Sequence, residues 1–231
     1  MASGFYRFVS FDQTGLNWLT RITDKHGDGY GVRFQYLEAF CPVCTNFNQD
    51  VVFERGFEHT LVRIRVRKGR NILVTNDGFL CVSSDVLKAL KTARVKGFES
   101  KPIYTGMYWH VLRITDRRRC DSKSYHADEN PCKYCRRKGQ YGGVQYERQI
   151  ELPEGDLTFF TTDNGNDQRW SEVLLTDKVR EVLQEAGAKG GELHKLWTAE
   201  EEQLLKADKW EPKKGDLISL GQHRYGVRAS E

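Results

Sequence analysis

The 231-residue chain has no uninterrupted apolar segment approaching the roughly 18 residues that a membrane helix needs. Its opening stretch, Met1 to Phe8, has neither the charged lead nor the apolar run of a secretory signal. These two absences predict a soluble, cytoplasmic protein without a membrane partner. No low-complexity tract appears, and five Pro and 21 Gly are near ordinary usage, which excludes a disordered or fibrous chain. Catalytic fingerprints are missing as well: there is no GxSxG, HExxH, P-loop or dinucleotide-binding glycine motif. A Cys-His-Asp trio can be assembled on paper from Cys81, His110 and Asp85, but nothing in the spacing supports it. The expectation is a protein that is not an enzyme. Charge of one sign is lacking too, since 36 Lys and Arg stand against 32 Asp and Glu, a net charge of +4. That balance permits an acidic partner or nucleic acid without demanding either.

What the chain does have is a globular composition. It is 39% hydrophobic and 12% aromatic, and it is long enough for one large domain or two small ones. It also has two CxxC motifs, Cys41-Pro42-Val43-Cys44 and Cys132-Lys133-Tyr134-Cys135. This spacing lets two thiolates grip one tetrahedral metal ion from a single tight turn. Neither pair fills a zinc shell, whereas Cys41, Cys44, Cys132 and Cys135 together supply four sulfurs. The expectation is one structural Zn2+ per chain, joining segments about 90 residues apart. Compact zinc ribbons set their knuckles about 15–20 residues apart, so this site would join two halves of the molecule.

Two other readings stay open at this stage. A redox CxxC would want a strand before the pair and a helix starting at its first sulfur; the cysteines could also be metal-free. Cys120 or His126, shortly before the second pair, could replace one ligand. Cys81, in an apolar strand, reads as a buried core thiol.

Along the chain, Phe5 to Phe11 reads as a strand, as does Tyr30 to Tyr36. Leu61 to Arg67 alternates strictly, with Val62, Ile64 and Val66 on one face and Arg63, Arg65 and Arg67 on the other. That basic face is either a partner-binding surface or an ordinary solvated sheet face. Phe79 to Val82 is a strand running into a helix capped by Ser84 or Asp85, with Val86, Leu87, Leu90 and Ala93 at helical spacing. Phe98 to Ile103 and Met107 to Ile114 follow as strands, then a polar connector from Asp116 to Asn130. Tyr146 to Leu152 reads as extended. Leu157 to Phe160 and Val173 to Leu175 precede a second helix with Val179, Val182, Leu183 and Ala186, then an extended Glu192 to Leu196. Thr198 and Glu201 form a capping box ahead of a last helix, and Leu217 to Leu220 is a closing strand.

The halves resemble each other. Ser84-Asp85 aligns with Thr176-Asp177, and Lys96-Gly97 with Lys189-Gly190, at offsets of 92 to 93 residues; the CxxC pairs repeat at 91. A diverged duplication follows, with residues 1–104 and 105–231 as its halves in one compact unit. The fold class expected is α+β: mostly antiparallel sheet, few helices, and two diverged repeats joined at a four-cysteine zinc site.

The opening Phe5-Tyr6-Arg7, the first motif Cys41-Pro42-Val43-Cys44 and the second, Pro131-Cys132 with Cys135, resemble the double-CxxCG family of myxobacterial paralogues. The strand–helix phrases around Asp85 and Asp177 are similar to phrases in that family. Thr45 and Arg136 stand where the family has glycine. The resemblance implies an immunity protein that binds and neutralises a cognate toxin, with zinc serving architecture alone. A face of Arg63, Arg65 and Arg67 would then suit an acidic toxin patch. The competing class is a zinc-containing nucleic-acid-binding or regulatory protein. Its surface would be the basic runs Arg63 to Arg70, Arg117 to Arg119 and Arg136 to Lys138.

Overall fold

The computed structural model describes residues 4–10, 37–39, 41–43, 48–57, 69–75, 78–103, 108–121, 125–127, 132–134, 140–142, 144–163, 172–207, 209 and 217–220. The expected strands at Tyr30 to Tyr36 and Leu61 to Arg67 lie outside the described residues. Within them the chain is α+β, with four α-helices and mostly antiparallel sheet.

The strands are β1 (Phe5–Ser10), β2 (Ile72–Val74), β3 (Leu80–Ser83), β4 (Phe98–Pro102), β5 (Trp109–Ile114), β6 (Arg117–Arg119), β7 (Tyr125–Ala127), β8 (Gln140–Gly142), β9 (Phe159–Asp163), β10 (Leu174–Thr176), β11 (Gly191–Lys195) and β12 (Leu217–Leu220). The helices are α1 (Gln49–Arg55), α2 (Ser84–Thr92), α3 (Asp177–Glu185) and α4 (Ala199–Lys206). One sheet runs β12-β11-β1-β10-β9-β6, a second β2-β3-β5-β4, and β7 pairs with β8 alone. Only the β6–β9 pairing is parallel among them.

Strand partners come from far along the chain. Helix α2 leaves β3 and returns as β4, and β5 lies between those strands, antiparallel to both. Helix α3 leaves β10 and returns as β11, and β1 lies between them in the same manner. Alternation on β1 sends Tyr6 and Phe8 to one side and Phe5 to the other, because successive side chains on a strand face opposite ways. Tyr6 and Phe8 enter a core shared by both sheets and both helices, with Leu80, Val82, Leu112, Val86 and Leu90 from one side and Phe159, Leu175, Val179, Leu183 and Leu193 from the other. Behind the larger sheet, Phe5 meets Phe160 edge-on at 6.0 Å in a cluster with Val144, Ile150, Leu174 and Leu196. Behind the smaller sheet, α1 supplies Phe53, which meets Phe57 at 6.2 Å, and Phe57 meets Phe79 at 5.8 Å.

Several expectations need correcting. The α2 cap is Ser83, not Ser84 or Asp85: the Val86 amide donates to Ser83 Oγ at 3.3 Å. With Thr176 at the equivalent N-cap position of α3, the two helices stand 93 residues apart, so Val86 falls opposite Val179 and Leu90 opposite Leu183. All four are fully buried. The offset of 92 would have paired Leu87, which lies one position round the helix, with Val179. The connector after Asp116 contains β6 and β7, and the segment expected to be extended from Tyr146 to Leu152 holds a 3-10 turn at Glu147–Gln149. Gln149 causes that turn by folding back, its Oε1 accepting from the amides of Gln145 and Tyr146 at 2.8 and 2.9 Å.

Two glycines mark where the sheets abut. Gly97 and Gly190 have φ of 79° and 147°, backbone that side-chain-bearing residues rarely adopt. A Cβ on Gly97 would collide with the Phe159 carbonyl oxygen of β9, and one on Gly190 with the Ile72 carbonyl oxygen of β2. Beside them the contact is reciprocal: the Phe159 amide donates to the Lys96 carbonyl at 3.0 Å, and the Ile72 amide donates to the Lys189 carbonyl at 3.3 Å.

Candidate metal centre at the paired cysteine turns

The two CxxC motifs bend alike, with Pro42-Val43 and Lys133-Tyr134 each forming the turn between their cysteines. The first is built on a short closed segment. After the 3-10 turn Leu37–Ala39 the chain passes Cys41, and the Asn48 amide returns to donate to the Ala39 carbonyl at 2.7 Å. Asn48 then caps α1, its Oδ1 accepting from the Asp50 amide at 3.0 Å.

Helix α1 is pinned to the smaller sheet by charge. Arg113 on β5 reaches Glu54 of α1 and Glu99 of β4, both at 2.5 Å, and its guanidinium lies 4.5 Å from the Phe53 ring centre. Arg117 pairs with Asp50 at 2.7 Å, and Arg55 with Glu38 at 2.6 Å. Burial opposes the charge on Arg113, but its hydrogen bonds to Glu99 and Glu54 outweigh that cost and its pKa is raised. The guanidinium is therefore a permanent cation locked between two carboxylates.

The fold brings the two motifs together. Cys41 Sγ lies 3.7 Å from Cys132 Sγ, across 91 residues of sequence. Cys41 is buried and Cys132 partly exposed. The separation is far beyond a disulfide bond of about 2.05 Å. It matches the edge of a thiolate tetrahedron, because sulfurs about 2.3 Å from a zinc ion stand about 3.8 Å from each other. Cys44 and Cys135 lie outside the described residues. Among the described residues no group of three or more His, Cys, Asp and Glu side chains is placed to hold a metal ion.

The other expected site residues fall elsewhere. Arg63, Arg65 and Arg67 lie outside the described residues. Cys120 is bridged to Ile150, with its sulfur 3.6 Å from the Asp121 carbonyl. His126 pairs through its backbone with Tyr141 in the β7–β8 ribbon. Cys81 is fully buried as expected, and its Sγ is directed at the Phe79 carbonyl at 3.7 Å. It cannot form a catalytic pair with His110: Val82, not Cys81, is the cross-strand partner of His110, so Cys81 and His110 face opposite sides of the sheet. Asp85 instead accepts from the Tyr108 hydroxyl at 2.7 Å. Nor does Cys41 sit as a redox cysteine would, since the 3-10 turn precedes it and α1 begins only at Gln49.

The carboxylates at the start of α4 have structural partners. Glu201 receives Lys195 at 2.6 Å and the Thr198 amide at 2.9 Å, closing the expected capping box. Glu202 receives Arg148 at 2.5 Å and Lys206 at 2.8 Å. Sequence reasoning missed α1 and its arginine clamp. The signal present was Asn48 followed by Asp50 and the apolar pair Val52-Phe53, compressed into two turns. No protein-family model matches the chain, and no curated protein matches it either.

Proposed function

We propose that this chain is a binding protein of the toxin-immunity kind, in which Cys41, Cys44, Cys132 and Cys135 hold one zinc ion for architecture alone. The approach of Cys41 to Cys132 at 3.7 Å carries the metal part, because it matches the sulfur–sulfur edge of a zinc tetrahedron and joins two distant thiol turns. Zinc bound by four thiolates supplies a cross-link and leaves no open coordination position for chemistry. The resemblance to the double-CxxCG family carries the toxin part, and the departures at Thr45 and Arg136 do not alter the four sulfurs.

The duplication belongs to the same proposal. Two repeats, each running opening strand, CxxC, paired strands, capped helix, glycine and strand, account for β1 and β5 filling the same place in opposite sheets. They also account for the reciprocal contacts of Gly97 and Gly190. Against the nucleic-acid alternative, two of the three arginines of β6 have internal partners: Arg117 pairs with Asp50, and Arg118 with Asp116 at 2.6 Å.

Two measurements test the proposal. Purified protein should carry about one zinc per chain, and Cys41→Ser or Cys132→Ser should lose it; metal-free wild-type protein sinks the architectural claim. Co-expression with the product of the neighbouring reading frame should restore growth if that product is toxic. Binding to generic DNA that falls steeply with added salt would favour the nucleic-acid class instead.

A further inference from the structure

We infer that the paired cysteine turns form a protein-docking tip that inserts Val43 and Tyr134 into an apolar socket rimmed by carboxylates on a partner protein. The inference rests on the four-thiolate reading for the rigidity of the tip. Val43 and Tyr134 occupy the same position in their motifs, the residue just before the second cysteine. They are 64% and 67% exposed, the two highest values among the large apolar side chains described. A knuckle whose sulfurs turn inward must turn its middle residues outward, so exposure there is forced by geometry. Residue type is not forced, and serine, lysine or aspartate would serve a solvated turn equally well. Single exposed apolar side chains are ordinary. Two at matching positions, on turns whose first cysteines approach to 3.7 Å, make a bipartite anchor.

Tyrosine suits such a role, since it brings a large rigid contact area with a polar end and few torsions to immobilise. Pro42 stiffens the first turn beside Val43. The choice of an acidic partner comes from charge. Lys133 is exposed next to Tyr134. Between Pro131 and Gln140 the sequence has four cations and no carboxylate, and between Ala39 and Gln49 it has neither Lys, Arg, Asp nor Glu. Carboxylates round a socket would meet Lys133 at its rim while Val43 and Tyr134 are desolvated at the centre.

The test uses the full zinc-loaded chain as bait for a display library of short random peptides, with Val43→Ser/Tyr134→Ser and Lys133→Glu variants as comparisons. Neither Val43 nor Tyr134 is a metal ligand, so the double variant should keep its zinc and its unfolding temperature. The wild type should select peptides combining aromatic or aliphatic residues with Asp or Glu. Their affinity should fall at least about tenfold in the double variant, and their salt dependence should weaken in Lys133→Glu. Selection of no such peptides, or of peptides that bind the double variant equally well, overturns the inference. So does tip-dependent binding of a labelled oligothymidylate in place of acidic peptides. Absence of zinc from the wild type would count against the metal proposal, and the peptide comparison between wild type and double variant would still be read separately.

Discussion

Glu202 is 5% exposed, yet it is fully ionised at neutral pH, because Arg148 and Lys206 hold its pKa down to about 2. A carboxylate with a depressed folded-state pKa stabilises the fold above the value of the unfolded chain, about 4.5, and loses that contribution as the pH falls toward 2. Acid unfolding should therefore have a component between these limits that Glu202→Gln flattens, read as melting temperature against pH. Nearby, Glu147 is shifted the other way, its pKa raised first by burial and further by Glu201, against the pull of Lys195. Gly97 and Gly190 act through backbone alone. Gly97→Ala and Gly190→Ala should each cost about 2 kcal/mol or more, combining a left-handed φ with a carbonyl collision across the sheets. Denaturant titration of each variant gives the value, and a loss under 0.5 kcal/mol (about the size of an ordinary surface change) would contradict the tight approach.

At the scale of elements, α1 is held by its buried Val52 and Phe53 and by the Arg113 clamp. A seven-residue helix is too short to hold itself in water. Arg113→Met should remove the two 2.5 Å pairings and cost about 1–2 kcal/mol, with the α1 amides losing hydrogen-exchange protection before the rest of the sheet. The two strand–helix–strand phrases were legible in the sequence because an apolar strand, a hydroxyl residue at or beside the N-cap position, helical apolar spacing and a terminal glycine coincide in each. Helix α1 was not, since two turns leave too little periodicity to see. Strand β6 was not either, because three arginines become a strand only through pairing with β9 and ion pairs to Asp50 and Asp116. The capping residue was missed by one position at Ser83, which reads equally well as the end of a strand.

For the molecule as a whole, the spacing of the four cysteines was plain in the sequence, but the approach of Cys41 to Cys132 is a property of the fold. Which sheet each strand joins was invisible, because pairing such as Phe5 with Thr176 has no local signature. On the proposed four-thiolate site, chelation or Cys132→Ser should lower the unfolding free energy by several kcal/mol, in line with the loss of a structural metal. It should also make the two sheets unfold in separate steps; an unchanged single transition on metal removal would show that the core holds the sheets together unaided.

The position of β1 constrains the molecule's birth. Its sheet neighbours, β10 (Leu174–Thr176) and β11 (Gly191–Lys195), are made long after it, so β1 must wait for them before it has a place to go. Until then Tyr6 and Phe8 have no shelter, and the gap between β3 and β4 stays open until β5 arrives. A chain laid out this way completes itself late and all together, at the mercy of chaperones and of sticky neighbours while it waits.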